Sequence, residues 1–144
     1  MPSVTITSEN LEQEGPILDV QFMISLELEK KYRELGKSIP QPIIVKAMTD
    51  TGSSACLLQK EIPEKLQLEP IGITKITTPS HEHYECYQYF MRMIIPSHDF
   101  FYEGLFVASV LDGQGISGLI GRDVLKNGIL IYIGYMNQFT LSLL

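Results

Sequence analysis

Between Pro16 and Leu26 the apolar residues Leu18, Val20, Phe22, Ile24 and Leu26 fall on alternate positions, the pattern of a strand with one face in a core. The period then changes. Over Glu27–Leu35, Leu28, Tyr32 and Leu35 recur at i, i+4 and i+7, and Glu27 and Glu29 stand four residues before Lys31 and Arg33, which predicts a short exposed helix stopped at Gly36. Two prolines, Pro40 and Pro42, return the chain to an extended run, Ile43–Met48, that ends in the turn Thr49-Asp50-Thr51-Gly52-Ser53-Ser54. A short helix is expected over Glu61–Leu68, with Pro63 in its first turn. Two strands follow, Ile71–Thr77 and Tyr84–Ile95, joined by the polar tip Thr78-Pro79-Ser80-His81-Glu82-His83. The apolar run Gly104–Leu111 leads through Gly113, Gly115 and Gly118 to Leu119-Ile120-Gly121-Arg122-Asp123-Val124-Leu125, where a strand meets a short helix closed by Asn127-Gly128. Ile129–Ile133 and Gln138–Leu144, separated by Gly134-Tyr135-Met136-Asn137, read as a closing hairpin. Residues 1–14 carry little apolar periodicity beyond Val4 and Ile6 and are expected to form a loose arm before a single domain, 15–144.

Composition narrows the partners. The 144 residues support one core, and 17 acidic against 11 basic residues, a net charge of −6 with no Lys/Arg cluster, exclude a nucleic-acid platform. No apolar stretch approaches the ~20 residues that a bilayer requires, and the N-terminus has no charged segment followed by an apolar one, so a cytoplasmic protein without membrane contact is expected. Cys56 and Cys86 are then expected as reduced thiols.

The candidate chemistry centres on Asp50-Thr51-Gly52, delivered by an apolar strand and followed about seventy residues later by the apolar-apolar-Gly triplet Leu119-Ile120-Gly121 that opens a helix. Hydrolysis of a peptide bond without a metal or a covalent nucleophile needs one group to take a proton from water and another to protonate the carbonyl oxygen. Two carboxyls about 3 Å apart do both by sharing one proton. Asp19, Asp99, Asp112 and Asp123 lie in no matching turn, so the second carboxyl must come from a second copy of the chain, across an isologous interface.

The joint pattern resembles the retropepsin-like aspartic proteases, the single-lobe relatives of pepsin that include the retroviral enzymes. Gly15–Val20, Lys46–Ser54, Leu66-Gln67-Leu68, Thr78-Pro79-Ser80, Tyr87-Gln88-Tyr89, Leu119–Leu125 and Phe139-Thr140-Leu141 look like the bacterial branch of that family, in order, over residues 15–144. The resemblance implies an all-β fold: a closed barrel-like lobe with two or three short helices, working as a homodimer on a peptide or protein substrate, without cofactor. It implies Asp50 as the catalytic acid, with Thr51 bonded across the dimer, Gly52 open to substrate backbone, and Ser53 supporting the loop. Leu119 would line a side-chain pocket, and a flap near residues 77–86, with Thr78, Pro79 and Ser80 at its tip, would cover an extended substrate. Gly121, Arg122 and Asp123 would be structural. Retroviral enzymes carry an acidic residue where Ser54 stands, so Arg122 is expected as a buried clamp paired with Asp123 or the C-terminus. The terminal hairpin is expected to build the interface, the apolar closing strand Gln138–Leu144 pairing between chains. The other class of reading is a non-catalytic module of the same fold that dimerises or binds peptides.

Three further features have plainer explanations. His81-Glu82-His83 with Cys86 has strand spacing suited to a metal but no fourth ligand, and reads as a solvated tip, so no metal is expected. Cys56 lacks the surroundings of a nucleophile and reads as a small buried hydrophobe. Gly113, Gly115 and Gly118 make no phosphate cradle.

Overall fold

The computed structural model describes residues 2–77, 84–111 and 115–144. Its centre is the strand read first from the sequence. Strand β2 (Ile17–Met23) buries Leu18, Val20 and Phe22, and Ile24 just beyond it has no exposed surface. Leu26, the last of the alternating set, is instead 45% exposed. Ser25 has already begun helix α2 (Leu26–Glu34), its hydroxyl accepting the Leu28 N–H at 3.2 Å, and the helical turn carries Leu26 off the strand face. Gly36 takes the left-handed conformation that closes this helix, at φ +66°.

Strand β2 runs antiparallel to β3 (Ile43–Thr49), which delivers Asp50. Next come β4 (Leu57–Gln59), helix α3 (Glu61–Lys65), β5 (Gly72–Ile76), β6 (Tyr84–Ile95), β7 (Phe100–Ser109) and β8 (Gly118–Ile120). Helix α3 is shorter than expected because Gln67 turns left-handed at φ 57°. Strand β7 begins four residues before the expected Gly104, straight after a 3₁₀ turn at Pro96–His98 that the sequence pattern did not disclose. The strands hydrogen-bond in the order β2-β3-β8-β4-β7-β6-β5, and β2 also pairs with β6, so six of them close into a barrel with β5 outside as an edge. Closure removes the edges of the other six. The interior is filled by Phe22, Leu58, Met91, Met93, Phe106 and Ile120, with Phe22 edge-on to Phe106 at 5.5 Å.

A second, three-stranded sheet has the order β1 (Ser3–Thr7), β10 (Gln138–Leu143), β9 (Gly128–Ile133). It follows helix α4 (Arg122–Leu125) and covers one end of the barrel with Leu141 and Leu143. The N-terminal segment is therefore not a loose arm. Val4 and Ile6 are the inward positions of a strand in register with Leu141 and Phe139, and the next segment is helix α1 (Leu11–Glu14), whose Leu11 is fully buried. The alternation in residues 3–7 is too short to stand out alone, and its partner lies more than 130 residues away. Helix α1 brings the described helices to four, against the two or three expected. Strand β10 is correspondingly not a free edge, since β1 occupies one side and β9 the other.

Candidate active site

Two chain segments cross at the end of the barrel where β3 and β8 run parallel, pairing Met48 with Leu119 and Thr49 with Ile120. The first segment carries Asp50. Its N–H donates to the Ile120 carbonyl at 2.9 Å, so the second segment fixes where the first one turns. The Gly52 N–H donates to Asp50 Oδ1 at 2.8 Å and the Ser53 N–H to the Asp50 carbonyl at 3.2 Å, which aims one carboxylate oxygen at the loop's own backbone. A methyl group on Gly52 would stand 3.1 Å from that same oxygen, tight against the carboxylate. Ser53 Oγ donates to the Ala55 carbonyl at 2.6 Å and closes the loop on itself. Asp50 is half-buried, whereas Thr51 and Gly52 are exposed at the lip.

The second segment is Leu119–Asp123. Gly121 is a steric necessity, because a Cβ there would lie 2.5 Å from the Ala55 carbonyl oxygen. Beyond it the Arg122 N–H donates to the Ser53 carbonyl at 2.8 Å, and Arg122 Nη1 to the Thr51 carbonyl at 2.6 Å. Arg122 thus ties the two segments together, but as an exposed side chain and with a backbone oxygen as acceptor. The expected burial and the expected partners, Asp123 or the C-terminus, do not occur. With Ser54 in place of an acid, the guanidinium bonds the Thr51 carbonyl instead.

Asp123 has a partner of its own. Its Oδ2 accepts the Cys56 N–H at 3.1 Å and its Oδ1 accepts the Cys56 thiol at 3.1 Å and the Val124 N–H at 2.9 Å. The Gly121 N–H approaches the same sulfur at 3.4 Å. Cys56 is fully buried, as expected of a small hydrophobe, and burial followed by the Asp123 charge pushes its thiol far above the ordinary range, so it stays protonated and inert as a nucleophile. The sequence offered no signal for this Cys56–Asp123 link, which spans 67 residues.

Leu119 is half-buried between Met48 and Leu57 on the sheet. Thr78, Pro79 and Ser80, together with His81, Glu82 and His83, lie outside the described residues. The hairpin that carries them is present up to the Ile76–Tyr84 pair, and Tyr84 bonds through its hydroxyl to Ser109 Oγ at 2.5 Å. Tyr87 packs across the strands opposite Ile73. Cys86 is buried and, like Cys56, unpaired in any disulfide. Among the described residues no group of three His, Cys, Asp or Glu side chains is placed to hold a metal, and no helix is long and apolar enough to cross a membrane.

The barrel, the Asp-Thr-Gly turn and the crossing strand–helix joint define a retropepsin-like fold. A retropepsin-like aspartic protease from Rickettsia conorii superposes with a TM-score of 0.56 at 15% identity, covering 96% of this chain and 89% of its own. The retroviral protease-like domain of Ddi1 from Leishmania major aligns with a TM-score of 0.44 at 12% identity, over 90% of this chain and 94% of that one. No family model and no curated protein matches the sequence.

Proposed function

We propose that the chain is an aspartic endopeptidase whose active site holds one Asp50 from each of two copies. The observation that carries this reading is the Asp50 carboxylate itself. It stands at the open end of a retropepsin-like barrel with one oxygen held by the Gly52 N–H, and the chain has a single Asp-Thr-Gly. In the assembled site, one carboxylate takes a proton from the attacking water while the other carboxyl gives its proton to the scissile carbonyl oxygen. Collapse of the resulting diol protonates the leaving amine and restores the shared proton. Thr51, exposed at the lip, would bond across the two-fold axis, and Gly52 would leave room for substrate backbone. Ser53, Gly121, Arg122 and Asp123 would hold the loop. An extended peptide would lie between this floor and the β5–β6 hairpin, its side chains against Leu119 and residues 78–80, pairing through its main chain. Two free cysteines suit a reducing compartment such as the cytoplasm.

Asp50→Asn tests the proposal. It should abolish hydrolysis of an extended peptide library while thermal unfolding and sedimentation stay as in the wild type, since asparagine keeps the size and the acceptor for the Gly52 N–H but holds no shared proton. An excess of Asp50→Asn chains should also poison the wild type, because a mixed pair has one carboxylate. Cleavage by the variant near the wild-type rate would overturn Asp50 as the catalytic group, and a wild type that binds extended peptides without cleaving them would leave a peptide-binding module as the function of the fold.

A further inference from the structure

Strand β6 outruns the partner that holds it. Its ladder with β7 runs from Ile95 opposite Phe100 to Gln88 opposite Val107 and stops there. Beyond that point the two strands part. Strand β7 goes on alongside β4, where Leu58 meets Ala108 and Gln59 meets Ser109, while residues 84–87 of β6 pair with β5. The described base of the β5–β6 hairpin is therefore a two-stranded ribbon rooted in the barrel at one end, and such a ribbon is marginally stable without further support. Side chains bridge the fork. The Tyr84 hydroxyl and Ser109 Oγ share a hydrogen bond of 2.5 Å across 25 residues of sequence. The third member is Cys86, where burial raises the thiol pKa and hydrogen bonds with the same two hydroxyls offset part of the rise. Cys86 and Ser109 are each 6% exposed.

The fork opens onto the face that carries Leu119. Val107 stands opposite Leu57 and Leu57 opposite Leu119, so these three side chains and Ser109, two residues beyond Val107, share one face of the sheet. Strand β7 lies two strands, about 10 Å, from β8 on that face. We propose that Tyr84, through Ser109 and Cys86, is a positioning residue that sets the angle of the β5–β6 hairpin over this floor, and with it the fit of an extended peptide between the two. The inference deepens the endopeptidase reading above and rests on it for the substrate. The chemistry of the bridge suits the task. Two hydroxyls and a thiol each give and accept hydrogen bonds, so the three satisfy one another, and in a recess closed to solvent their bonds are not readily exchanged for bonds to water. Only a long side chain reaches across strands that have parted, and phenylalanine in place of Tyr84 would span the gap with nothing to hold. Tyr87, on the opposite face of the same ribbon and 54% exposed, takes no part in the bridge.

Tyr84→Phe tests the bridge by removing one oxygen. Amide exchange at Gly72–Ile76 and at residues 85–87 should quicken about fivefold or more. Alkylation of Cys86 by N-ethylmaleimide should quicken in step, while Cys56, fully buried, stays unreactive and exchange in β2 and β3 is unchanged. In peptide hydrolysis KM should rise about fivefold with kcat within about twofold of the wild type. Simple loss of folded protein would not give that split, since it lowers the apparent kcat and leaves KM alone. Ser109→Ala should reproduce each change, and the double variant should be no worse than either single one, because both remove the same bond. Tyr87→Phe should move none of these readings. Unchanged exchange and alkylation in Tyr84→Phe overturn the bridge, as does an equal response to Tyr87→Phe. A ribbon that loosens while KM stays put overturns its part in substrate fit. If the wild type cleaves nothing, the endopeptidase reading falls alone, and exchange and alkylation still decide the bridge.

Discussion

The barrel and the terminal sheet handle exposed backbone in opposite ways. Six strands of the barrel close on themselves through the β2–β6 pairing, and the loops at its open end are fastened by bonds within the chain, from Arg122 to Thr51 and from Cys56 to Asp123. The terminal sheet is built from segments at the two ends of the sequence and stops at β9 with isoleucines outward. A region stabilised by closure is self-sufficient. The terminal sheet, by contrast, leaves one side of β9 unpaired among the described residues, with Ile129 and Ile131 exposed on its outer face.

The largest expected effect strikes the barrel. Gly121→Ala drives a methyl into the Ala55 carbonyl where the two segments cross, and should cost roughly 3 kcal/mol of stability, measured as a lower urea midpoint. If the cost were under ~0.5 kcal/mol, the crossing would be looser than described. Next is Asp123→Ala, which strands the buried N–H and thiol of Cys56 and should cost about 2 kcal/mol. Cys56→Ala added to it should recover part of that loss, because the stranded thiol goes as well.

A smaller effect runs the other way. Thr49 Oγ1 is buried without a hydrogen-bond partner among the described residues, one residue before Asp50, so Thr49→Val should stabilise the barrel by about 1 kcal/mol and raise the melting temperature. A fall would mean that the hydroxyl is satisfied in solution. The pH dependence is gentler still. The Cys56 thiol is raised by burial and by Asp123, so below about pH 8.5 it is neutral in both folded and unfolded chains and its contribution is fully present. Above that pH the unfolded thiol ionises while the folded one does not, and stability falls as pH rises. Melts between pH 8 and 10 should show a shallower fall for Cys56→Ser, with the remainder shared by Cys86 and, toward pH 10, Tyr89 and Tyr102, all of which burial raises in the same direction. Smallest of all, Thr5→Val removes an exposed hydroxyl bond on the polar edge of the terminal sheet and should change stability by less than about 0.5 kcal/mol.

Period-two and period-3.6 patterns are properties of neighbouring residues, so β2, β3, β6, α2 and the terminal hairpin were legible from the chain alone. The Asp50-Thr51-Gly52 turn and the Leu119–Leu125 joint were legible for the same reason, each being a short local motif. What required the folded chain was every relation between distant segments. Val4 and Ile6 became a strand only because Phe139 and Leu141 lie opposite them. Arg122 took the Thr51 carbonyl, and Asp123 took Cys56, because closing the barrel brings residues 50–56 beneath 119–123. Sequence by itself determined which residues would be apolar on one face and which would turn, since side-chain size, charge and backbone freedom act locally. Tertiary structure alone decided which polar groups meet and which edge stays uncovered, because hydrogen bonds and strand edges are settled by what else occupies the space, and that depends on the whole path of the chain.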